Sequence, residues 1–423
     1  MDHALLELAR RRPVVFDGAM GTEIQGRSLT AADFGGREGL NEILSVTRPD
    51  VIRDIHRAYL RAGADVIETN SFGANAIVLR EYGQEGRARE LSLASALLAR
   101  QVADECSSPE WPRYVSGSVG PGTRLPSLGQ IGFPGMLACY REQVAGLLEG
   151  GVDLVQVETC QDPLQARIAV LAAREAMAAA GREVPLFVQV TFDRNGTMLL
   201  GTDPLAAVVS LAGLPGVSAF GINCATGPED MHHVLAELAR ACPLPLVVLP
   251  NAGLPENVGG VLTYRLTPAD FARHVAGFVT ELGVAFAGGC CGTTPAHIAA
   301  LVDALRGATV GARSPVLPAA ASSLFSAVPF AQEPRPLILG ERTNANGSKA
   351  FRERLAAGDL EGMVGIARDQ QAEGAHLLDV CLAMVGRDEA ADARAFVPRL
   401  REVAEAPLVC DSTEFDAMQA ALE

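Results

Sequence analysis

The sequence predicts a parallel (β/α)8 barrel followed by an incomplete second barrel of the same kind, so the fold class is α/β. Three observations carry this. Eight short apolar runs alternate with amphipathic segments before residue 309. Each run is continuously apolar, as suits strands covered on both faces. Polar and small residues cluster just after each run, where such barrels place their active sites. An open doubly wound sheet would need only five or six strands and a topological switch point, which eight regular repeats do not favour.

The runs are Val14–Asp17, Val66–Thr69, Tyr114–Gly117, Leu154–Glu158, Leu186–Thr191, Ala219–Cys224, Leu246–Pro250 and Ala285–Gly288. Between them the apolar residues recur at helical spacing, as in Asp50–Leu60. The first barrel is expected over residues 1–308. Residues 309–334 read as a linker. The longest uncharged stretch, Ser314–Gln332, is broken by Pro315, Pro318 and Pro329 and cannot be a membrane helix. The pattern then restarts over 335–423. A strand is expected near Leu337–Gly340, helices from Lys349 to Glu373, a strand at His376–Val380, a helix, and a strand at Leu408–Cys410. Three βα units cannot close a barrel and leave a sheet edge open. The chain is therefore expected to be a fragment, or to pack its tail on another surface.

Composition narrows the function. Hydrophobic content of 48% and charged content of 20% describe an ordinary globular chain with ample core. A net charge of −15 excludes nucleic acid as an expected partner, because phosphate binding needs clustered cations. Nine cysteines are an odd number and too sparse for a disulfide scaffold. They fit a reducing cytoplasm. The N-terminus, with Asp2 and Glu7 and no long apolar core, does not read as a secretory signal, and no membrane association is expected.

Three of those cysteines carry chemistry. Cys224 ends the run Gly221-Ile222-Asn223-Cys224, and Cys290-Cys291 sit in Gly288-Gly289-Cys290-Cys291-Gly292-Thr293-Thr294. A lone cysteine usually packs as a small hydrophobe. A pair set among glycines at a strand end, opposite a third cysteine at another, reads instead as a zinc site with three thiolates. Three protein ligands leave one position open, the mark of a catalytic metal. An all-sulfur site favours a further thiolate there, which points to a small thiol as substrate. A redox role for Cys290-Cys291 is disfavoured, since there is no Cys-x-x-Cys spacing.

The other strand-end residues suit an amino acid. Asp17 and Glu158 offer carboxylates for an ammonium group. The loop Gly18-Ala19-Met20-Gly21 offers backbone N–H groups for a carboxylate. Asn251 and Asn70 are placed to orient a ligand or to approach the metal. The seven histidines show no metal spacing, and His232-His233 read as helix surface.

These motifs resemble the homocysteine S-methyltransferase family. The resemblance rests on Phe16-Asp17-Gly18-Ala19-Met20-Gly21-Thr22, Glu68-Thr69-Asn70-Ser71-Phe72, and the two cysteine motifs, and covers about residues 1–305. It implies that Cys224, Cys290 and Cys291 bind zinc, which activates homocysteine, and that Asp17 and Glu158 hold its amino group. The segment Gly340–Ser348, with Asp379 and Asp411-Ser412-Thr413, resembles the pterin-binding barrel of cobalamin-dependent methionine synthases. It implies that Asp411 bonds the pterin ring, with Asn344 and Asp379 near it. The implied methyl source is 5-methyltetrahydrofolate, passed through methylcobalamin.

Two departures stand out. Cys381 occupies a position where family members often carry Asn. No Asp-x-His-x-x-Gly pattern, which would supply a histidine to cobalt, occurs in the chain. A methylcobalamin-bearing domain or protein is therefore an expected partner. The remaining alternatives are direct use of a small sulfonium or betaine-type donor, and a non-catalytic zinc- and thiol-binding fragment.

Overall fold

The computed structural model describes residues 3–259 and 261–423. Eight parallel strands form a ring: β1 Val14–Val15, β2 Val66–Glu68, β3 Tyr114–Val119, β4 Leu154–Cys160, β5 Leu186–Val190, β6 Val217–Asn223, β7 Leu246–Leu249 and, after an intervening hairpin, β10 Val284–Ala287. Their order is β1-β10-β7-β6-β5-β4-β3-β2. A parallel bridge between Phe16 and Val66 closes the ring, with the Asp17 N–H donating to the Val66 carbonyl at 2.9 Å. Closure excludes the open-sheet alternative. All eight expected runs are strands, and β6 starts two residues earlier than the apolar pattern indicated.

Alternation along the strands builds two cores. Val15, Ile67, Val115, Val155, Val188 and Val248 face the surrounding helices. Val14, Phe16, Leu154, Phe187, Val247 and Phe286 fill the barrel interior. There Phe187 and Phe286 meet with ring centroids 4.7 Å apart, and Phe16 packs against both. The N-terminal helix Ala4–Arg11 closes the bottom by adding Leu5 and Ala9 to this interior cluster. Above the aromatic layer the inward positions turn polar, with Glu68, Ser116, Gln156 and Gln189 all at the ring's interior. The barrel is thus plugged below and chemically open above.

A hairpin follows β7: β8 Glu256–Val258 pairs antiparallel with β9 Val261–Thr263. A second hairpin, β11 Ala320–Ser322 with β12 Ala327–Pro329, lies in the segment expected as a linker. It is fixed to the barrel. The Thr202 hydroxyl donates to the Leu324 carbonyl at 2.6 Å, and the Asp203 N–H to the Phe325 carbonyl at 2.8 Å. Residues 309–334 are therefore a docked strap, held by partners that no local pattern could reveal.

The remaining chain forms a three-stranded parallel sheet, β13 Leu339–Gly340, β14 Leu377–Val380 and β15 Leu408–Cys410, in the order β13-β14-β15. Helices Lys349–Ala357, Leu360–Ala372 and Glu389–Arg401 cover it, with Phe351 and Phe396 stacked edge to face at 5.6 Å. This is an incomplete parallel unit with its own small core. Among the described residues no helix is long and apolar enough to cross a membrane.

Candidate functional site

The barrel mouth is assembled from strand ends with unusual backbone. Thr159, Cys224 and Ala225 adopt left-handed φ angles of 57°, 60° and 61°. Non-glycine residues rarely do so, and such strain concentrates at functional sites. It is held by the residue before Cys224. The Asn223 amide oxygen accepts from the Thr159 N–H at 2.8 Å, and its NH2 donates to the Thr159 hydroxyl at 2.8 Å and to Glu158 Oε2 at 3.1 Å. One buried side chain thus fixes the ends of β4 and β6 together. On the other side of β6, Gly221 permits the close approach of β7, since a Cβ there would fall 1.8 Å from the Val247 carbonyl oxygen.

The three cysteines converge as expected. Cys224 Sγ lies 3.8 Å from Cys291 Sγ, and Cys290 Sγ lies 4.0 Å from Cys291 Sγ. All three sulfurs fall within 4.8 Å of one another, with no other such His/Cys/Asp/Glu group among the described residues. Sulfurs bound tetrahedrally at about 2.3 Å from one ion lie about 3.8 Å apart. The spacing therefore fits zinc. All nine cysteines are free thiols. Without a cation the Cys224 thiol is pushed well below its usual range because Cys290 and Cys291 donate to it, while theirs are pushed up. Three sulfurs this close cannot all ionise unless a positive ion joins them.

The loop holding Cys290-Cys291 is knitted to the first strand's loop. The Thr293 hydroxyl accepts from the Ala19 N–H at 3.2 Å and donates to the Cys290 carbonyl at 2.7 Å. The Thr22 hydroxyl accepts from the Gly292 N–H at 3.0 Å. Tyr59 bridges the Ala19 and Thr293 carbonyls. Gly18 is required here, because a Cβ would lie 2.6 Å from Thr293 Oγ1.

Beside the cysteines lies a cavity of about 240 Å³, lined by Gly18, Ala19, Met20, Glu68, Glu158 and the three cysteines, among others. Its size suits an amino acid. Glu158 is fully buried, accepting from the Ser118 hydroxyl and from Asn223. Burial pushes its carboxyl up to about 7. Asp17 is also buried but is not among the lining residues. Its Oδ2 accepts from the Glu68 N–H at 3.0 Å, and Oδ1 has no partner. Glu68, a third carboxyl, does line the cavity and accepts from Gln156. Burial holds Asp17 and Glu68 well above the ordinary carboxylate range. Of the loop donors expected for a carboxylate, the Ala19 N–H is engaged by Thr293. The Asn251 N–H donates to the Thr226 carbonyl at 3.1 Å, two residues after Cys224, and the Asn251 side chain keeps a buried, unpartnered Oδ1. Asn70 is occupied, donating to the Asn41 carbonyl at 2.8 Å. His232 and His233 are exposed on the helix Pro228–Ala241.

In the second unit Asn344, Asp379 and Asp411 meet at the strand ends. The Asn344 NH2 donates to Asp379 Oδ2 at 2.8 Å and to Asp411 Oδ2 at 3.0 Å. Cys381 is buried beside Asn346, whose NH2 points at its sulfur at 3.5 Å. A larger open concavity of about 890 Å³ lies in this unit, lined by Asn346, Arg352, Met384 and Arg394 among others. Among the described residues, the one group of His, Cys, Asp or Glu close enough to share a metal ion is the three cysteines at the smaller cavity.

Residues 14–305 match the family described as Homocysteine S-methyltransferase. The chain belongs to this family. Residues 340–423 match a second family, described as Pterin binding enzyme. The whole chain is 48% identical to the methionine synthase of Mycobacterium leprae and 48% identical to that of Mycobacterium tuberculosis, and covers 35% of each. It spans about a third of the length of these curated relatives. The metallated form of the Escherichia coli homocysteine methyltransferase MmuM superposes with a TM-score of 0.56 at 29% identity, over 70% of this chain and 97% of that one. The oxidised form gives 0.57 at 28% identity, over 71% of this chain and 99% of that one.

Within the family frame, several site residues were not singled out by sequence reasoning. Asn223, Ser118, Glu68 and Thr293 all sit inside or beside the quoted motifs, so their position was visible while their partners were not. Tyr264, whose ring lies against Gly292 beside the cysteine pair, had no such signal.

Proposed function

We propose that the chain binds zinc through Cys224, Cys290 and Cys291 and transfers a methyl group to the thiol of homocysteine, giving methionine. The observation that carries this reading is the tetrahedral spacing of three sulfurs at the wall of an amino-acid-sized cavity. Zinc bound there would hold the substrate sulfur as thiolate at neutral pH and keep it nucleophilic.

The protein's own groups orient the rest of the substrate. Glu158, aimed by Ser118 and Asn223, takes the ammonium. Asp17 and Glu68, held toward their protonated form by burial, leave Glu158 as the carboxylate that carries the charge. Gly18, Ala19 and Met20 shape the cavity wall where the carboxylate lies, and Asn251 offers its unpartnered Oδ1 as a further acceptor. Held in this way, the sulfur attacks the methyl carbon in line. The S–C bond forms as the bond from methyl to donor breaks, and that bond's electron pair leaves with the donor.

For the donor we favour methylcobalamin carried by another domain or protein and recharged from 5-methyltetrahydrofolate. The cluster of Asn344, Asp379 and Asp411 in the pterin-binding match supports folate binding in the second unit. The free thiols suit a reducing cytoplasm. The test supplies zinc-loaded chain and homocysteine with free methylcobalamin or with a methyl sulfonium. Methionine from methylcobalamin alone supports this donor. Methionine from the sulfonium alone would favour direct transfer, and methionine from neither would favour a binding fragment.

A further inference from the structure

A cavity of about 200 Å³ lies where the two units meet, and it shares no lining residue with the cavity at the cysteines. Segments far apart in sequence build it. The barrel helix Pro163–Ala180 brings Arg167, the strap brings Leu324, and the second unit brings Arg401 and Leu408. Ser210 and Leu211, at the end of the helix Pro204–Leu211, add to the wall. Among the described residues, that wall holds two arginines and no carboxylate. The cavity is thus apolar along its leucines and cationic at its arginines.

Arg401 is the informative residue. It ends the helix Glu389–Arg401, is partly buried, and keeps a buried Nε with no hydrogen-bond partner. Asp162 lies close enough for its charge to act on Arg401, yet its oxygens are already engaged. Oδ1 accepts from the Ser127 hydroxyl at 2.8 Å and from the Leu164 N–H at 2.9 Å, and Oδ2 accepts from the Ser127 N–H at 2.8 Å. Glu402 also acts on Arg401, but it is exposed. Burial pushes the Arg401 guanidinium down from its ordinary value. A cation drawn out of water without a bonded partner destabilises the fold that holds it. Among the described residues, the Arg167 guanidinium and the Ser210 hydroxyl also have no hydrogen-bond or ion-pair partner.

We propose that this cavity binds a small oxyanion, a carboxylate or phosphate group on a short apolar body, held by the guanidinium groups of Arg167 and Arg401. The planar fork of arginine matches both head groups with paired N–H···O bonds. Ser210 adds a hydroxyl donor, and the leucines take the apolar body. A volume of about 200 Å³ is below the roughly 300–1,000 Å³ usual for larger ligands, so the body is a few carbon atoms long. Arg167 belongs to the barrel and Arg401 to the second unit, so the bound anion ties the two units together. The site is independent of the zinc chemistry.

The test treats the full chain with phenylglyoxal, which modifies accessible arginines, and follows Arg167 and Arg401 by mass spectrometry. The probes are butyrate and inorganic phosphate, with ionic strength held constant by chloride. Saturable slowing at both arginines is expected, while Arg306, exposed elsewhere on the barrel, keeps its rate. Slowing by butyrate alone names a carboxylate with an apolar body as the ligand class, and slowing by phosphate alone names a phosphate group. Each of Arg167→Gln and Arg401→Gln is expected to weaken binding of the effective probe about 10- to 100-fold, because each removes charge-assisted bonds. Protection is measured on the parental chain, so it decides the proposal even where a variant fails to fold. No slowing by either probe would overturn the site, and so would binding equally tight in both folded variants.

Discussion

Replacing Cys291 with alanine is expected to strip zinc from the chain and to abolish methyl transfer to homocysteine. Cys291 stands 3.8 Å from Cys224 and 4.0 Å from Cys290, so its removal leaves two donors where three were spaced for one ion. Loss of an outer-shell partner alone typically costs 10- to 100-fold in metal affinity. Loss of a ligand should therefore cost more than about 100-fold. The fold should persist, because Cys291 is part of a mouth loop and the barrel is held below it by Phe16, Phe187 and Phe286. Metal content and turnover, measured together on protein of unchanged circular dichroism, check this. Turnover that survives in zinc-free Cys291→Ala would rule out the mechanism.

Glu158→Gln is the second large effect, and it should separate from the first. Zinc should stay at one per chain, while the homocysteine KM should rise about 10- to 100-fold, since a hydrogen bond to a charged group contributes about 1.5–3 kcal/mol. Glutamine keeps the shape but loses the charge. It also turns one acceptor oxygen into an NH2, so the bond from Ser118 or the one from Asn223 is lost. The pH dependence follows from the sign of the shift. Burial raises the Glu158 carboxyl to about 7. Below that pH the carboxyl is protonated and cannot pair with an ammonium, and above it the charge is present. Homocysteine affinity in the parental chain should therefore fall as pH drops through about 7, and Glu158→Gln should flatten that dependence. A parallel fall in both proteins would place the responsible group elsewhere.

What could be read from the sequence divides along the range of the interactions. Buried parallel strands announce themselves by local composition, and every expected barrel run is a strand. Cys224 and Cys290-Cys291 were legible because adjacent glycines mark the turns that expose them. The hairpins β8–β9 and β11–β12 were not legible. Glu256–Val258 and Ala320–Ser322 are too short and too polar or too small to read as strands, and they form because distant groups fix their ends. The aim of Glu158 depends on Asn223, 65 residues away, and on left-handed backbone at Thr159 and Cys224 that no residue type there advertises. Tyr264 stands 27 positions before Cys291, and only the hairpin brings them together. Asp17 shows the limit from the other side. Its place at a strand end was correct, yet its Oδ2 is engaged with the Glu68 backbone, beneath the cavity wall.

The central claim is that the open position of a three-cysteine zinc site receives the homocysteine sulfur. X-ray absorption at the zinc edge, on the zinc-loaded chain with and without homocysteine, counts the sulfurs directly. The account predicts three sulfur neighbours at about 2.3 Å without homocysteine and four with it. A sulfur count that stays at three while homocysteine is demonstrably bound would contradict it.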